Sequence, residues 1–280
     1  WSTPQTVTVT GVNDSVQDGA QAYSVVTAAA TSTDLLYSGV DPADVTLSNA
    51  DDDSAGITVT PTSGLTATES GGTATFTVVL TSQPTATVTI ALSSSDTTEG
   101  TVGPATLTFT TGNWNAPQTV TVTGVSDAID DGDVAFTIVT AAAVSADPVY
   151  GGADPADVSV TTIDDDSGGI TVTPTSGLTI AETGSSATFT VVLNSQPAAN
   201  VTVAVSSSDT TEGTVSPAGL TFTSGNWNTP QTVTVTGVND VIDDGNVVLT
   251  IVTSAASSAD PVYDTVDPAD VTVTNVDDDT

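Results

Sequence analysis

The chain has 280 residues, 34 Asp and Glu side chains and no Lys, Arg or His, so its formal charge is −34 and no side-chain ion pair can form within it. That balance excludes nucleic acid as a partner, because phosphate binding needs cationic side chains to displace counterions. The absence of cysteine removes disulfides and thiolate metal sites, and no apolar run reaches the roughly 18 residues of a membrane helix.

So acidic a chain would stay unfolded if it were poor in apolar residues. This one is 38% hydrophobic and rich in Val, Thr, Ile and Phe, residues that suit pleated, half-buried strands. The expectation is an all-β protein of two or three domains. Trp1 begins in mid-pattern, with neither a charged nor a hydrophobic leader segment, so no export signal or membrane anchor is expected in this stretch.

Read in chain order, the sequence is an array. The Trp-x-x-Pro-Gln phrase that begins at Trp1 returns at Trp114 and Trp227, 113 residues apart each time, and Gly56-Ile-Thr-Val-Thr-Pro returns at Gly169 with the same offset. Residues 1–55 therefore form the C-terminal half of a repeat, and 56–168 and 169–280 are two complete repeats. Alternating runs in the first complete repeat predict strands over 57–60, 73–80, 86–92, 106–110, 118–123, 134–140 and 157–163. The half-repeat is expected to carry the last three of these. In Thr119-Val-Thr-Val-Thr the Val side chains face one way and the Thr side chains the other. Seven short strands per repeat predict tandem seven-stranded antiparallel β-sandwiches of immunoglobulin-like type in a linear array, with up-and-down connections. Trp114, between Gly112-Asn113 and Pro117, is read as a cap on one end of the core, with carbohydrate stacking as its functional rival.

Acidic residues recur in the predicted loops, not within strands. In the first complete repeat they are Glu69, Asp96 with Glu99, Asp127, Asp130, Asp131 and the triplet Asp164, Asp165, Asp166. The second repeats them as Glu182, Asp209 with Glu212, Asp240, Asp243, Asp244, Asp277, Asp278 and Asp279. The half-repeat keeps Asp14, Asp18, Asp51, Asp52 and Asp53, with Gln17 where the others have Asp130 and Asp243. Two carboxylates about 4 Å apart repel by roughly 4 kcal/mol at an effective dielectric of about 20, so clusters of them would splay, protonate or bind cations. Ca²⁺ takes 6–8 oxygen ligands at flexible geometry, which clustered Asp supplies. Zinc and copper would want His or Cys. Ca²⁺ is thus the expected ion and metal ligands the expected role of these side chains. The competing reading is a solvated acidic linker, as charge runs often are. The Asp-Pro pairs Asp147-Pro148 and Asp154-Pro155 are read as turn formers.

The loop-borne Glu69 and Glu182, the Asp-x-x-Asp-Asp-Gly segments 127–132 and 240–245 before a Val-rich strand, and the terminal Asp triplets resemble the Calx-β domain, the calcium-binding sandwich of sodium/calcium exchangers and bacterial surface proteins. The resemblance covers both complete repeats and the half-repeat. It implies that the matching Glu, the middle-loop Asp and the terminal Asp residues hold Ca²⁺ where one domain meets the next. The chain departs from the family where Gly132-Asp133 and Gly245-Asn246 stand in place of Glu residues after the Asp pair. The bacterial, Thr-rich surface repeats are the nearer likeness, implying an extracellular or cell-surface location.

Three functions follow in order. The first is a structural rod, filament or matrix fibre stiffened by calcium. The second is an adhesin in which these repeats are a passive stalk, with binding performed by a tip domain outside this stretch or by an exposed Thr-rich face. The third, catalysis, is left only a carboxylate pair of glycosidase type, since His, Cys and Lys are missing, and no enzyme is expected. Besides Ca²⁺, the expected partners are neighbouring repeats or subunits, because a half-sandwich with open edges calls for completion by strand addition.

Overall fold

The computed structural model describes all residues, 1–280. Every regular element is a strand. The half-repeat holds β1 (Gln21–Val25) and β2 (Val45–Asn49). The first complete repeat holds β3 (Ile57–Thr60), β4 (Leu65–Thr68), β5 (Thr73–Leu80), β6 (Val88–Ser94), β7 (Gly100–Gly103), β8 (Thr106–Phe109), β9 (Gln118–Gly124), β10 (Val134–Thr140), β11 (Val144–Ser145) and β12 (Val158–Ile163). The second holds β13 (Ile170–Thr173), β14 (Leu178–Ala181), β15 (Ser186–Leu193), β16 (Val201–Ser207), β17 (Gly213–Ser216), β18 (Gly219–Phe222), β19 (Gln231–Gly237), β20 (Val247–Thr253) and β21 (Val271–Val276).

Each complete repeat is a two-sheet sandwich. One sheet runs β3-β5-β9-β7 and its counterpart β13-β15-β19-β17; the facing sheets run β11-β6-β10-β12-β4, with β8 also on β6, and β14-β21-β20-β16-β18. The alternation read from sequence places the core. In β5 the side chains of Phe76, Val78 and Leu80 are buried while Thr73 and Thr75 face solvent. Two separate cores result, one drawn from residues 59–160 and one from 172–273. Burying each Val, Leu, Ile or Phe contributes roughly 1.5–3 kcal/mol, so each repeat has the means to hold itself together.

Several expectations are corrected here. The topology is not up-and-down, because β14 pairs in parallel with β21, the last strand of its repeat. Each complete repeat also has more strands than the seven predicted. β4, β7 and β11 are only two to four residues long, and such short stretches are set by their neighbours in the sheet more than by their own periodicity. The half-repeat forms two strands, not three. Residues 5–10, which correspond to β9, are not in a strand. In the complete repeat β9 is held between β5 and β7, and without such neighbours the same Thr-Val alternation has no ladder to join. Their Val side chains are correspondingly exposed, Val7 at 79% against 0% for Val120.

The chain divides into two compact units, residues 1–125 with 135–162, and 126–134 with 163–280. The acidic loop and acidic tail of the first complete repeat therefore belong to the second unit. Trp114 and Trp227 are partly buried against the cores, and their carbonyls accept hydrogen bonds from Leu80 and Leu193 N–H. Trp1 is fully exposed.

The Asp-Pro segments do more than turn the chain. Asp147 is buried and accepts hydrogen bonds from the N–H and hydroxyl of Thr85 and from Val149 N–H. Burial pushes its pKa up, but hydrogen bonds from Thr85, Val149 and Tyr150 outweigh that and leave it lowered. Beside it the Tyr150 hydroxyl donates to Ser82 O and accepts from Ser82 N–H, an arrangement repeated by Tyr263 and Ser195.

Candidate metal centres

One acidic loop occurs in three copies, each paired with an Asp triplet, and the hydrogen bonds joining loop to triplet are the same in all three. In the second unit Asp277 accepts Gly245 N–H at one oxygen and Asp279 N–H at the other, at 2.7 and 2.8 Å. Asp164 does the same with Gly132 and Asp166, and Asp51, in the first unit, with Gly19 and Asp53. The glycine is required because these positions have φ of 74–76°, where a side chain would be strained. The first Asp of each triplet therefore works as a clamp, tying the Asp-Gly turn of the loop to the strand exit. For Asp277 and Asp51 the backbone hydrogen bonds lower the pKa.

The first Asp of the loop is half committed. Asp14, Asp127 and Asp240 each use Oδ1 to accept the N–H two residues on, from Val16, Ile129 and Ile242. Each retains a second oxygen for other use.

Within the second unit the remaining acceptors converge. Carboxylate oxygens of Glu182, Asp240 and Asp279 all lie within 4.8 Å of one another. Glu182 is 2% exposed, follows β14, and is fixed by its N–H on Val276 O. Glu182 Oε2 and Asp279 Oδ2 are buried atoms with no hydrogen-bond partner. Desolvation raises the pKa of Glu182, and Asp277, Asp240, Asp244 and Asp279 add to it. Asp279 is raised by desolvation and by its neighbours Asp278 and Asp277. Buried, unpartnered carboxylate oxygens facing one another are unfavourable unless a cation or proton intervenes. An all-oxygen set of three carboxylates suits a hard divalent cation, so these residues fit Ca²⁺.

The counterparts one repeat earlier are Glu69, Asp127 and Asp166. Glu69 is likewise buried, and Asp166 has a raised pKa from desolvation followed by Asp164 and Asp165. Asp131 is raised by desolvation, then by Asp127 and Asp164. In the half-repeat Asp14, Asp18, Asp51, Asp52 and Asp53 line one small pocket with Gly19 and Asn49, and desolvation followed by Asp52 and Asp51 raises Asp53.

Other residues expected as ligands have different neighbours. Asp96 and Asp209 accept N–H and hydroxyl hydrogen bonds from Thr98 and Thr211, closing their own turns. Asp130 Oδ2 accepts Gly168 N–H at 2.6 Å, and Gln17 Oε1 accepts Ala55 N–H at the same place. In the same turns the fold buries the two glutamates that accompany Asp96 and Asp209 in the sequence. Glu99 and Glu212 are buried, and Glu212 accepts a hydrogen bond from Asn275 Nδ2. Nothing in a lone loop Glu distinguishes it from a surface residue before the fold is known.

The Calx-beta domain model matches residues 49–167 and again 164–279. No curated protein matches the chain. Among solved structures, the calcium binding domain CBD12 of CALX1.1 is 17% identical, covering 78% of this chain and 99% of that one with a TM-score of 0.35. CBD12 of CALX1.2 is 16% identical over 72% and 81%, with a TM-score of 0.33. Domains 4 and 5 of the S-layer protein SbsC are 19% identical over 67% and 75%, with a TM-score of 0.30.

Proposed function

The chain belongs to the Calx-beta domain family over both complete repeats, and from that premise we propose that it is an extracellular structural protein whose acidic sites bind Ca²⁺ and stiffen a rod, filament or matrix fibre. The observation that carries this reading is the cluster of Glu182, Asp240 and Asp279, with two buried oxygens lacking any hydrogen-bond partner. No basic side chain exists to neutralise it. Glu182, Asp240 and Asp279 would hold the ion, which supplies the positive charge that the sequence omits. Asp277 clamps the loop so that Asp279 faces Glu182, and burial of Glu182 keeps water from screening the set.

A location outside the cell agrees with this chemistry, since calcium there is abundant enough to fill sites of only moderate affinity. A site of micromolar affinity at millimolar calcium contributes about 4 kcal/mol. The exposed Val7, Val9 and Val45 of the half-repeat are the counterparts of buried Val120, Val122 and Val158. We assign them to completion by strands of a neighbouring repeat or subunit.

Thermal unfolding in calcium against excess chelator tests the proposal. A rise of several degrees with calcium is expected; superimposable curves would reduce the acidic loops to a solvated surface. Scattering with and without chelator then measures stiffening, with an unchanged maximum dimension counting against it. The alternative is an adhesin, whose candidate binding face is the outward threonines such as Thr58, Thr75 and Thr119, the repeats otherwise serving as a passive stalk. A glycan array separates that reading, because a stalk binds nothing by itself.

A further inference from the structure

The acidic loop also offers its backbone. Ser15 O accepts a hydrogen bond from Gln83 N–H at 2.7 Å, and Ala128 O accepts one from Gln196 N–H at 2.6 Å. Each donor stands in a Ser-Gln-Pro segment that begins two residues after β5 or β15 ends. The first contact lies within the first unit and the second within the second. In both, the loop of one repeat is seated on the repeat that follows it in sequence.

A side chain reinforces each seat. Asp130 Oδ2 takes Gly168 N–H, and Gln17 Oε1 takes Ala55 N–H. Since Asp and Gln both serve, what matters at this position is an acceptor oxygen and not its charge. The residues at the tip are partly buried in both copies, Ser15 with Val16 and Ala128 with Ile129. These bonds join protein to protein and need no ion.

The third copy of the loop, residues 240–244, carries Val241 and Ile242 at the tip. They are 86% and 60% exposed. Two adjacent apolar side chains at the tip of an acidic loop are out of place in solvent, and the residues at the same positions in the other two copies are partly buried.

We propose that the Asp240–Asp244 loop is a docking seat for a further repeat of this same kind, which lays the N–H of its own Ser-Gln-Pro segment on the Val241 carbonyl and covers Val241 and Ile242. The occupant is identified by the interface already present twice in the chain. The inference rests on the reading of this protein as a repeat array, and is independent of calcium.

The chain lacks cysteine, so Val241→Cys gives a single thiol whose labelling rate reports exposure. Three proteins are compared: the V241C chain; the same chain extended after Thr280 by a second copy of its residues 168–280; and the chain extended by an unrelated sandwich domain of equal length. Ala128→Cys in the parent chain marks the rate of a seated loop. Extension by its own repeat is expected to slow V241C labelling by roughly tenfold or more, the protection that two net-favourable hydrogen bonds confer. The slowing should persist in chelator. A rate unchanged by the extension, slowed equally by the unrelated domain, or slowed only with calcium present would overturn the proposal. Calcium binding itself is scored separately, by the melting shift of the parent chain.

Discussion

Replacing Tyr263 with Phe removes one hydroxyl and exposes how the second sandwich is fastened. That hydroxyl donates to Ser195 O at 2.7 Å and accepts Ser195 N–H at 2.9 Å, with Ser195 Oγ at 2.8 Å. Tyr263 and Ser195 are both wholly buried, so neither backbone group of Ser195 can turn to water when the hydroxyl is lost. Leaving buried polar groups unsatisfied costs about 1–3 kcal/mol. At roughly 4 °C per kcal/mol for a domain of this size, Tyr263→Phe should lower the melting temperature of its repeat by about 8 °C. Tyr150→Phe should do the same to the other repeat, whose Tyr150 contacts Ser82 in the same manner. Tyr37, at the matching place in the half-repeat, is 64% exposed, and Tyr37→Phe should leave the melt unchanged. Scanning calorimetry of the three variants decides the matter. A Tyr263→Phe chain melting within a degree of the parent, or a Tyr37→Phe chain losing as much as Tyr263→Phe, would refute the reasoning.

Glu182→Gln should abolish the calcium-induced rise in melting temperature of the second unit while leaving it no less stable in chelator, because a repelling charge is removed; Asp209→Asn, whose oxygen serves Thr211, should keep the calcium response intact, and the reverse pattern in calorimetry would exchange their roles. Acidity should act in two directions. Glu182, Asp166 and Asp279 have folded pKa values raised above those of the unfolded chain, so without calcium they cost stability at neutral pH. That cost disappears as the pH falls from their raised values towards the ordinary carboxylate range. Asp147 is lowered, so its contribution is present above the ordinary carboxylate pKa and is lost as pH falls through its lowered value. Melting in chelator should therefore improve on mild acidification and fail in strong acid; a steady decline from neutral pH downward would contradict this. Gly237→Ala should destabilise the second repeat by roughly 1–3 kcal/mol in urea unfolding, since its Cβ would stand 2.1 Å from the Ala181 carbonyl oxygen, and a neutral result would show that the strand can move aside.

Composition and repetition determined the class of protein. Thr-Val alternation throughout called for layered β-sheets that bury the Val side chains, and the two-residue period fixed which face of β5 or β9 turned inward. The 113-residue offset also marked every acidic loop, because a repeat repeats its turns. Other features had no sequence signal. The parallel pairing of β14 with β21 joins segments far apart in the chain, and local alternation carries no information about such a partner. The division of labour among the Asp residues likewise depended on the fold. Asp277 and Asp279 are identical in sequence, yet one is saturated by backbone N–H groups and the other keeps a buried oxygen free beside Glu182. Residues 5–10 give the clearest case. They have the same alternation as β9 but form no strand, because a strand is stabilised by hydrogen bonds to its neighbours in the sheet, and those are a property of the tertiary structure alone.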